Sequence, residues 1–357
     1  MAMNLQEFLT QIDEFNQKTA WKQSALKGMR VLDGGNLHIE DKYGNNAEDL
    51  PYNDFAIKSI CDRADVSGGA IHRLSGEKFR EHINDYFDVA VKKNSIINVY
   101  DGVVYAAHSQ SYAILNIKEC VNVLINHLNK AYPNNELLNY VITPTETIVD
   151  FALNDDNLNK KYEEALQKKI GGLRKIYPVL RFITSNTGWS GANIIPILYM
   201  NGAKTITTEP IVLNHKGKAN LDKFAENCER SYSLMLEGVE KLNELSKIVI
   251  DYPANCAANI AKEINLPKKM TMPILLDMEE DFGHLSATAR EVYLYLTRLT
   301  EVVKDPVKQF RLADQISRAL KLDFKKFDRS KAKWFEDNIT NQRYTPSTRA
   351  FVFEQAA

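Results

Sequence analysis

The dipeptide Asp101-Gly102 limits this chain's fold more than any other short stretch. Before it stands Ser95-Ile96-Ile97-Asn98-Val99-Tyr100 and after it Val103-Val104-Tyr105-Ala106-Ala107. Both residues of an Asp-Gly pair accept positive φ, so a two-residue loop between β-rich runs predicts an antiparallel hairpin. Further strand-like runs cover residues 35–40, 140–142, 147–151, 180–186 and 192–199. Helical spacing alternates with them. Leu5, Phe8, Leu9, Ile12 and Phe15 predict an amphipathic helix, as do Phe55, Ile57, Ile60 and Cys61 over residues 54–64.

Ser75-Gly76-Glu77 reads as a helix start that carries Phe79, His82, Ile83, Tyr86 and Phe87 on one side. Another helix is predicted over residues 118–131, and residues 155–170 form a polar stretch of helical propensity. Pro196, inside an apolar run, fits an edge strand or a bulge better than a central strand. From about Leu221 the helical period dominates. Cys228, Tyr232, Met235, Val239 and Leu242 make one stripe, Thr288 and Glu291 match a capping box, and a helix follows Asp305-Pro306. The fold class is therefore α+β: mixed strands and helices with antiparallel hairpins over 1–220, then a predominantly helical region over 221–357 that packs on the first or stands beside it.

Composition excludes more than it suggests. The chain has 357 residues, and its 45 Lys and Arg nearly balance 46 Asp and Glu, for a formal net charge of -1. The sum makes no case for a polyanion partner, although a local patch still can. Apolar runs fall well short of the ~20 residues of a spanning helix, and the acidic N-terminus lacks the features of a secretory signal. The expected location is the cytoplasm, with no membrane partner. Four scattered cysteines, Cys61, Cys120, Cys228 and Cys256, form no CxxC pair and read as buried structural thiols.

The stretches DLPYNDFAIKSICDRADVSGGAIHRL and NSIINVYDGVVYAAHSQSYAIL and, most of all, FITSNTGWSGANIIPILYMNG span roughly residues 50–220. In these stretches and in its order of elements the chain resembles a family of phage and plasmid proteins known as domain of unknown function nine-three-two. Family members often carry a Cys near the closing Asn-Gly, where this chain has Met200. The resemblance implies a bacteriophage origin. It supplies no catalytic residues.

Each candidate chemical motif lacks a required part. His38-Ile39-Glu40 matches the HxE of zinc deaminases without their PCxxC element, so an outward-alternating strand is the better reading. Ser67-Gly68-Gly69-Ala70 lacks the ending of a phosphate loop. His108-Ser109 and Ser111 are neighbours in sequence, which does not align a nucleophile with a base. The run Asp277, Glu279, Glu280, Asp281 and His284 offers metal ligand types without a geometry. No motif calls for a cofactor.

Basic residues interleaved with aromatics occur twice. Arg174, Lys175, Tyr177 and Arg181 precede the turn at Trp189, and Lys216 and Lys218 follow. Lys325, Lys326, Arg329, Lys331 and Lys333 surround Trp334. Such residues neutralise phosphates and stack bases. The leading expectation is a non-enzymatic nucleic-acid-binding protein supporting DNA replication or recombination, with Arg174, Lys175, Arg181, Trp189, Lys216 and Lys218 as contacts to a single strand. The alternative is an interaction protein that binds a host (defence) factor or assembles into a homo-oligomer through its amphipathic helices. A solvated charged surface accounts for the same basic residues.

Overall fold

Asn4 starts the first helix, α1 (Leu5–Lys18), by accepting the Gln6 and Glu7 amides on its side chain, and Phe8, Ile12 and Phe15 turn inward, while Leu5, expected on the same stripe, is 37% exposed in the first turn. The computed structural model describes residues 4–335 apart from 42, 44–45, 67–73, 75, 90–93, 167–175 and 201–202. Strand β1 (Thr19–Ala25) follows, then β2 (Arg30–Val31), β3 (Asn36–Glu40) and β4 (Ala47–Pro51), the last three pairing as a small antiparallel sheet. Along β3 Leu37 and Ile39 are buried while His38 and Glu40 take the opposite face, as expected of a strand. His38 Nδ1 lies 2.6 Å from Asp49 Oδ1 on the neighbouring strand.

Helices α2 (Asp54–Arg63) and α3 (Gly76–Val89) cover this unit, burying Ala56, Ile60 and Cys61 from one and Phe79, Ile83 and Phe87 from the other. Three residues assigned to the inner stripes in fact lie outside them. Phe55 is 54% and Tyr86 43% exposed, and His82 is exposed as well. Each immediately precedes a buried residue, and one step along a helix turns a side chain by about 100°.

Strands β5 (Asn94–Tyr100) and β6 (Val103–Ser109) form the Asp-Gly hairpin, with φ of 49° at Asp101 and 78° at Gly102. Positive φ at both positions is the turn whose twist matches the flanking strands. β1 pairs along the other side of β5.

Helix α4 (Ile117–Ala131), capped by Asn116, leads to the main sheet. Its strands are β7 (Glu136–Ile142), β8 (Thr147–Ala152), β9 (Ile176–Thr184), β10 (Ala192–Met200), β11 (Ala203–Ile206) and β12 (Ile211–Leu213), with α5 (Asp156–Leu166) between β8 and β9. The order is β11-β10-β9-β8-β7, and β12 also pairs with β10. β12 takes Ala192–Ile194 and β11 takes Ile197–Met200, so Pro196 falls between them. The proline thus sits on an interior strand, opposite Leu180 of β9, at the point where the other flank has no partner to miss its N–H.

Beyond residue 220 come α6 (Leu221–Glu229), α7 (Ser231–Leu245), β13 (Val249–Ile250), α8 (Pro253–Glu263), α9 (Lys268–Phe282), β14 (Ala287–Thr288), α10 (Ala289–Thr297), α11 (Leu299–Val302), α12 (Pro306–Ser317) and α13 (Phe324–Phe327). The stripe expected from Cys228 to Leu242 is split between α6 and α7 at Arg230, and Tyr232 lies 36% exposed off it. The capping box is present: Thr288 Oγ1 accepts the Glu291 amide, and the Glu291 carboxylate accepts the Thr288 amide.

The change of pattern near residue 220 is a change of element type within shared cores. Phe224, Cys228 and Met235 pack with Phe151, Phe182 and Leu124 on one face of the main sheet. Tyr162, Leu166 and Leu198 join Leu275, Val292 and Leu296 in the helical core. On the other face, Phe310 and Ala313 of α12 cover Ile148, Val179, Ile183 and Ile197. Each such buried aliphatic or aromatic side chain contributes about 1.5–3 kcal/mol by leaving water. All four cysteines are buried and free, and burial pushes the thiols up, Cys61 to about 11 and Cys120 to about 12. No described helix is long and apolar enough to cross a membrane.

Candidate ligand-binding cleft

His108 is the last residue but one of β6, and the chain then turns so that Tyr112 lies flat against it. Their ring centroids are 3.9 Å apart at an interplanar angle of 14°. Beyond Tyr112 lies His215, at 5.0 Å and 8°, while Trp21 of β1 flanks the stack at 5.6 Å from Tyr112. An isolated antiparallel bridge ties Tyr112 to Lys216. These rings join three parts of the chain that sequence keeps far apart.

Hydrogen bonds fix the imidazoles. His108 Nε2 lies 2.8 Å from the Asn186 carbonyl, which only accepts, so the proton sits on Nε2. His215 Nδ1 donates in the same way to the Ala113 carbonyl at 3.0 Å, leaving its Nε2 to accept from Thr184 Oγ1 at 3.3 Å. Burial pushes the His108 imidazole down to about 4, against the opposing pull of the Asn186 carbonyl, and His215 and Arg63 add to the fall. Burial lowers His215 as well. Both rings are neutral near pH 7. Ser109 Oγ pairs with Ser111 Oγ at 2.8 Å, so the sequence neighbours His108 and Ser109 form no nucleophile–base pair.

The stack supports a tight turn. Tyr112 donates its hydroxyl to the Ser185 carbonyl, and Ser185 Oγ accepts the amides of Thr187 and Trp189 at 3.1 and 3.3 Å. Gly188, at φ 78°, lets the turn rest on His108: a Cβ there would stand 3.3 Å from His108 Cε1. Facing this turn is α2, and between them opens a cleft of about 410 Å³. Asp54, Phe55, Lys58, Ser59 and Asp62 line one wall; Thr187, Gly188 and Trp189 line the other.

Both aromatic residues of the cleft are open to solvent, Phe55 at 54% and Trp189 at 53%. The Arg311 guanidinium lies over the Trp189 ring, 4.9 Å from its centroid, and Arg311 Nη2 is itself held 3.0 Å from Glu146 Oε1. A cation over the indole gives attraction through the ring quadrupole and steadies the plane. Ser59 Oγ is occupied, donating to the Ala56 carbonyl and accepting the Ala107 amide.

The residues expected to contact nucleic acid are placed unequally. Trp189 stands on the cleft. Lys216 and Lys218 are exposed, and Lys216 follows His215 at the far end of the stack. Arg174 and Lys175 lie outside the described residues, as does Ser67-Gly68-Gly69-Ala70.

Arg181 must be withdrawn from the surface set: it is 0% exposed. Its Nε and Nη2 grip Asp150 at 2.5 and 2.6 Å, with Lys204 Nζ 3.7 Å from the same carboxylate. Burial alone pushes the Asp150 carboxyl up. Arg181 and Lys204 outweigh it and hold Asp150 below the usual carboxylate range. A guanidinium carried by an inward position of a central strand needs such a partner, because an isolated buried charge is prohibitively unfavourable.

The second basic run does not form a comparable surface. Trp334 is 8% exposed and belongs to the helical core. Lys325 pairs with Asp328 at 3.0 Å and Asp251 at 3.6 Å, and Lys326 with Asp323 at 3.9 Å. The acidic run on α9 is spent on neighbours: Asp277 meets Arg298 at 3.3 Å, and Asp281 accepts the Tyr295 hydroxyl. Among the described residues, no group of three or more His, Cys, Asp or Glu side chains is arranged to hold a metal ion.

Sequence reasoning missed the partners that make the cleft: Phe55, Arg311, Glu146 and the ring stack. One signal was readable. Phe55 stands one position out of phase with Ala56, Ile60 and Ala64, which are buried. The chain matches no family model, no curated protein and no solved structure.

Proposed function

We propose that this protein binds single-stranded nucleic acid at the cleft beside Trp189, as a binding protein and not as an enzyme. The observation that carries this reading is the open indole of Trp189 with Arg311 over its ring and exposed Phe55 on the facing wall. An unstacked base presents a π-face to such rings, and base–aromatic stacking contributes about 1–3 kcal/mol per base. Duplex bases are already stacked, which favours a single strand. Exposed Lys216 and Lys218, next along the chain from His215 of the ring stack, supply local positive charge for the backbone despite the chain's near-neutral sum. The role we assign to this binding is in DNA replication or recombination of a bacteriophage, within the cytoplasm of its bacterial host, in line with the expected likeness of residues 50–220 to phage and plasmid proteins.

The test is fluorescence anisotropy with a labelled mixed-sequence oligonucleotide at low ionic strength. Binding is expected to weaken as salt rises, and Trp189→Ala is expected to lose most of it. Absence of binding even at low salt would end this reading.

A further inference from the structure

We infer that the cleft selects nucleobases carrying an exocyclic amino group, guanine above the others, over thymine and uracil. The inference rests on the reading of the cleft as a single-strand site. It comes from the polar groups between the two aromatic walls, which are unusual for a site that meets polyphosphate. Two of the three charged side chains on the α2 wall are carboxylates, Asp54 and Asp62, with Lys58 between them. All three are exposed and sit one helical turn apart, so they line one edge of α2 along the cleft.

An acidic wall repels phosphate, so the backbone must run outside it. The edge of an inserted base meets it instead. A carboxylate only accepts hydrogen bonds, through two oxygens spaced to receive a parallel pair. Guanine offers such a pair, its N1–H and its N2 amino group side by side. Cytosine and adenine each offer one amino group, and carboxylates take the cytosine N4 amino group in known modes of base reading. Thymine and uracil present a lone N–H flanked by two carbonyl oxygens, which face the carboxylates acceptor to acceptor. The remaining wall adds no contrary preference: the Thr187 hydroxyl is drawn to Ser185 Oγ and the Thr145 carbonyl, and Gly188 brings no side chain.

The cleft, at about 410 Å³, has room for one base with its sugar. A single base read by its Watson–Crick edge, with stacking supplied by Phe55 and Trp189, is the occupant that satisfies both the aromatic and the acidic character of the walls.

The experiment compares three short oligonucleotides in anisotropy titrations with the full-length protein: all-thymine, the same with one central guanine, and the same with hypoxanthine in that position, which keeps N1–H but lacks the amino group. Guanine is expected to bind about tenfold tighter than all-thymine, in the range of one good bidentate base contact, with hypoxanthine between them. Asp54→Asn is expected to shrink the guanine advantage from both sides, weakening guanine binding and strengthening all-thymine binding, since the amide keeps the size but puts a donor where the second acceptor stood. Equal affinity for all three oligonucleotides, with binding still abolished by Trp189→Ala, overturns the base preference and leaves the single-strand site standing. No binding of any oligonucleotide by the unaltered protein overturns both.

Discussion

Two segments of this chain look alike on paper: the stretch around Trp189 and the stretch around Trp334 both mix lysine and arginine with a tryptophan. In the folded protein they are opposites. Trp189 is 53% exposed on a cleft, with a guanidinium over its ring, whereas Trp334 is 8% exposed inside the helical core. Even within the first stretch the members part company, since Arg181 is buried against Asp150 while Lys216 and Lys218 face solvent. A cluster of residue types along the chain is therefore not a patch. What makes a patch is the set of elements that arrive from elsewhere, here α2 and α12.

The contrast can be broken most forcefully at the buried members. Arg181→Ala strands the Asp150 carboxylate in the sheet interior, and should cost about 3–5 kcal/mol of stability in urea unfolding. A loss under 1 kcal/mol would mean that Arg181 is not the interior partner described here. Trp334→Ala should lower stability by about 3–5 kcal/mol through the cavity it leaves, with the affinity of the folded fraction for oligonucleotides unchanged.

Trp189→Ala should do the reverse. Its stability should stay within about 0.5 kcal/mol, while binding weakens by about 1–3 kcal/mol, read by anisotropy. If Trp189→Ala melts as badly as Trp334→Ala, the two segments are not opposites.

Acid provides a smaller probe of the stack beneath the cleft. His108 is lowered from 6.5 to about 4 in the folded chain, so the unfolded chain takes up the proton first. The stability owed to keeping this ring neutral is complete above pH 6.5 and drains away as pH falls towards 4. His108→Gln should therefore lose less Tm between pH 7 and pH 4.5 than the unaltered protein, by thermal denaturation monitored at several pH values. Smallest of all, Thr288→Ala removes the side-chain half of the capping box on α10, which does not line the cleft, for about 1 kcal/mol and no change in binding.

What could be read from sequence was local. The hairpin at Asp101-Gly102, the inward face of α1 and the Thr288–Glu291 box each depend on residues within a few positions of one another, and each is present. The cleft was only half legible. Trp189 stood out by type, but its facing wall comes from α2, and the support beneath it depends on a contact between His108 and Asn186, 78 residues apart. Arg311 reaches Glu146 across 165 residues. No periodicity encodes such meetings. Phase errors were the local failure: Phe55, His82 and Tyr86 are apolar or amphipathic, and composition drew them inward where helix geometry turns them out.

The divided flank of β10 has a consequence for how copies of this protein treat one another. An unbroken outer strand offers a row of backbone donors and acceptors on which another chain can lay itself. Here the outer position is shared by β11 and β12, interrupted at Pro196, and the Lys204 amide on β11 is already taken by Thr300 Oγ1 at 3.1 Å. At this border the sheet offers a growing fibril only two short, interrupted runs to copy, which disfavours zipping of neighbouring molecules through it.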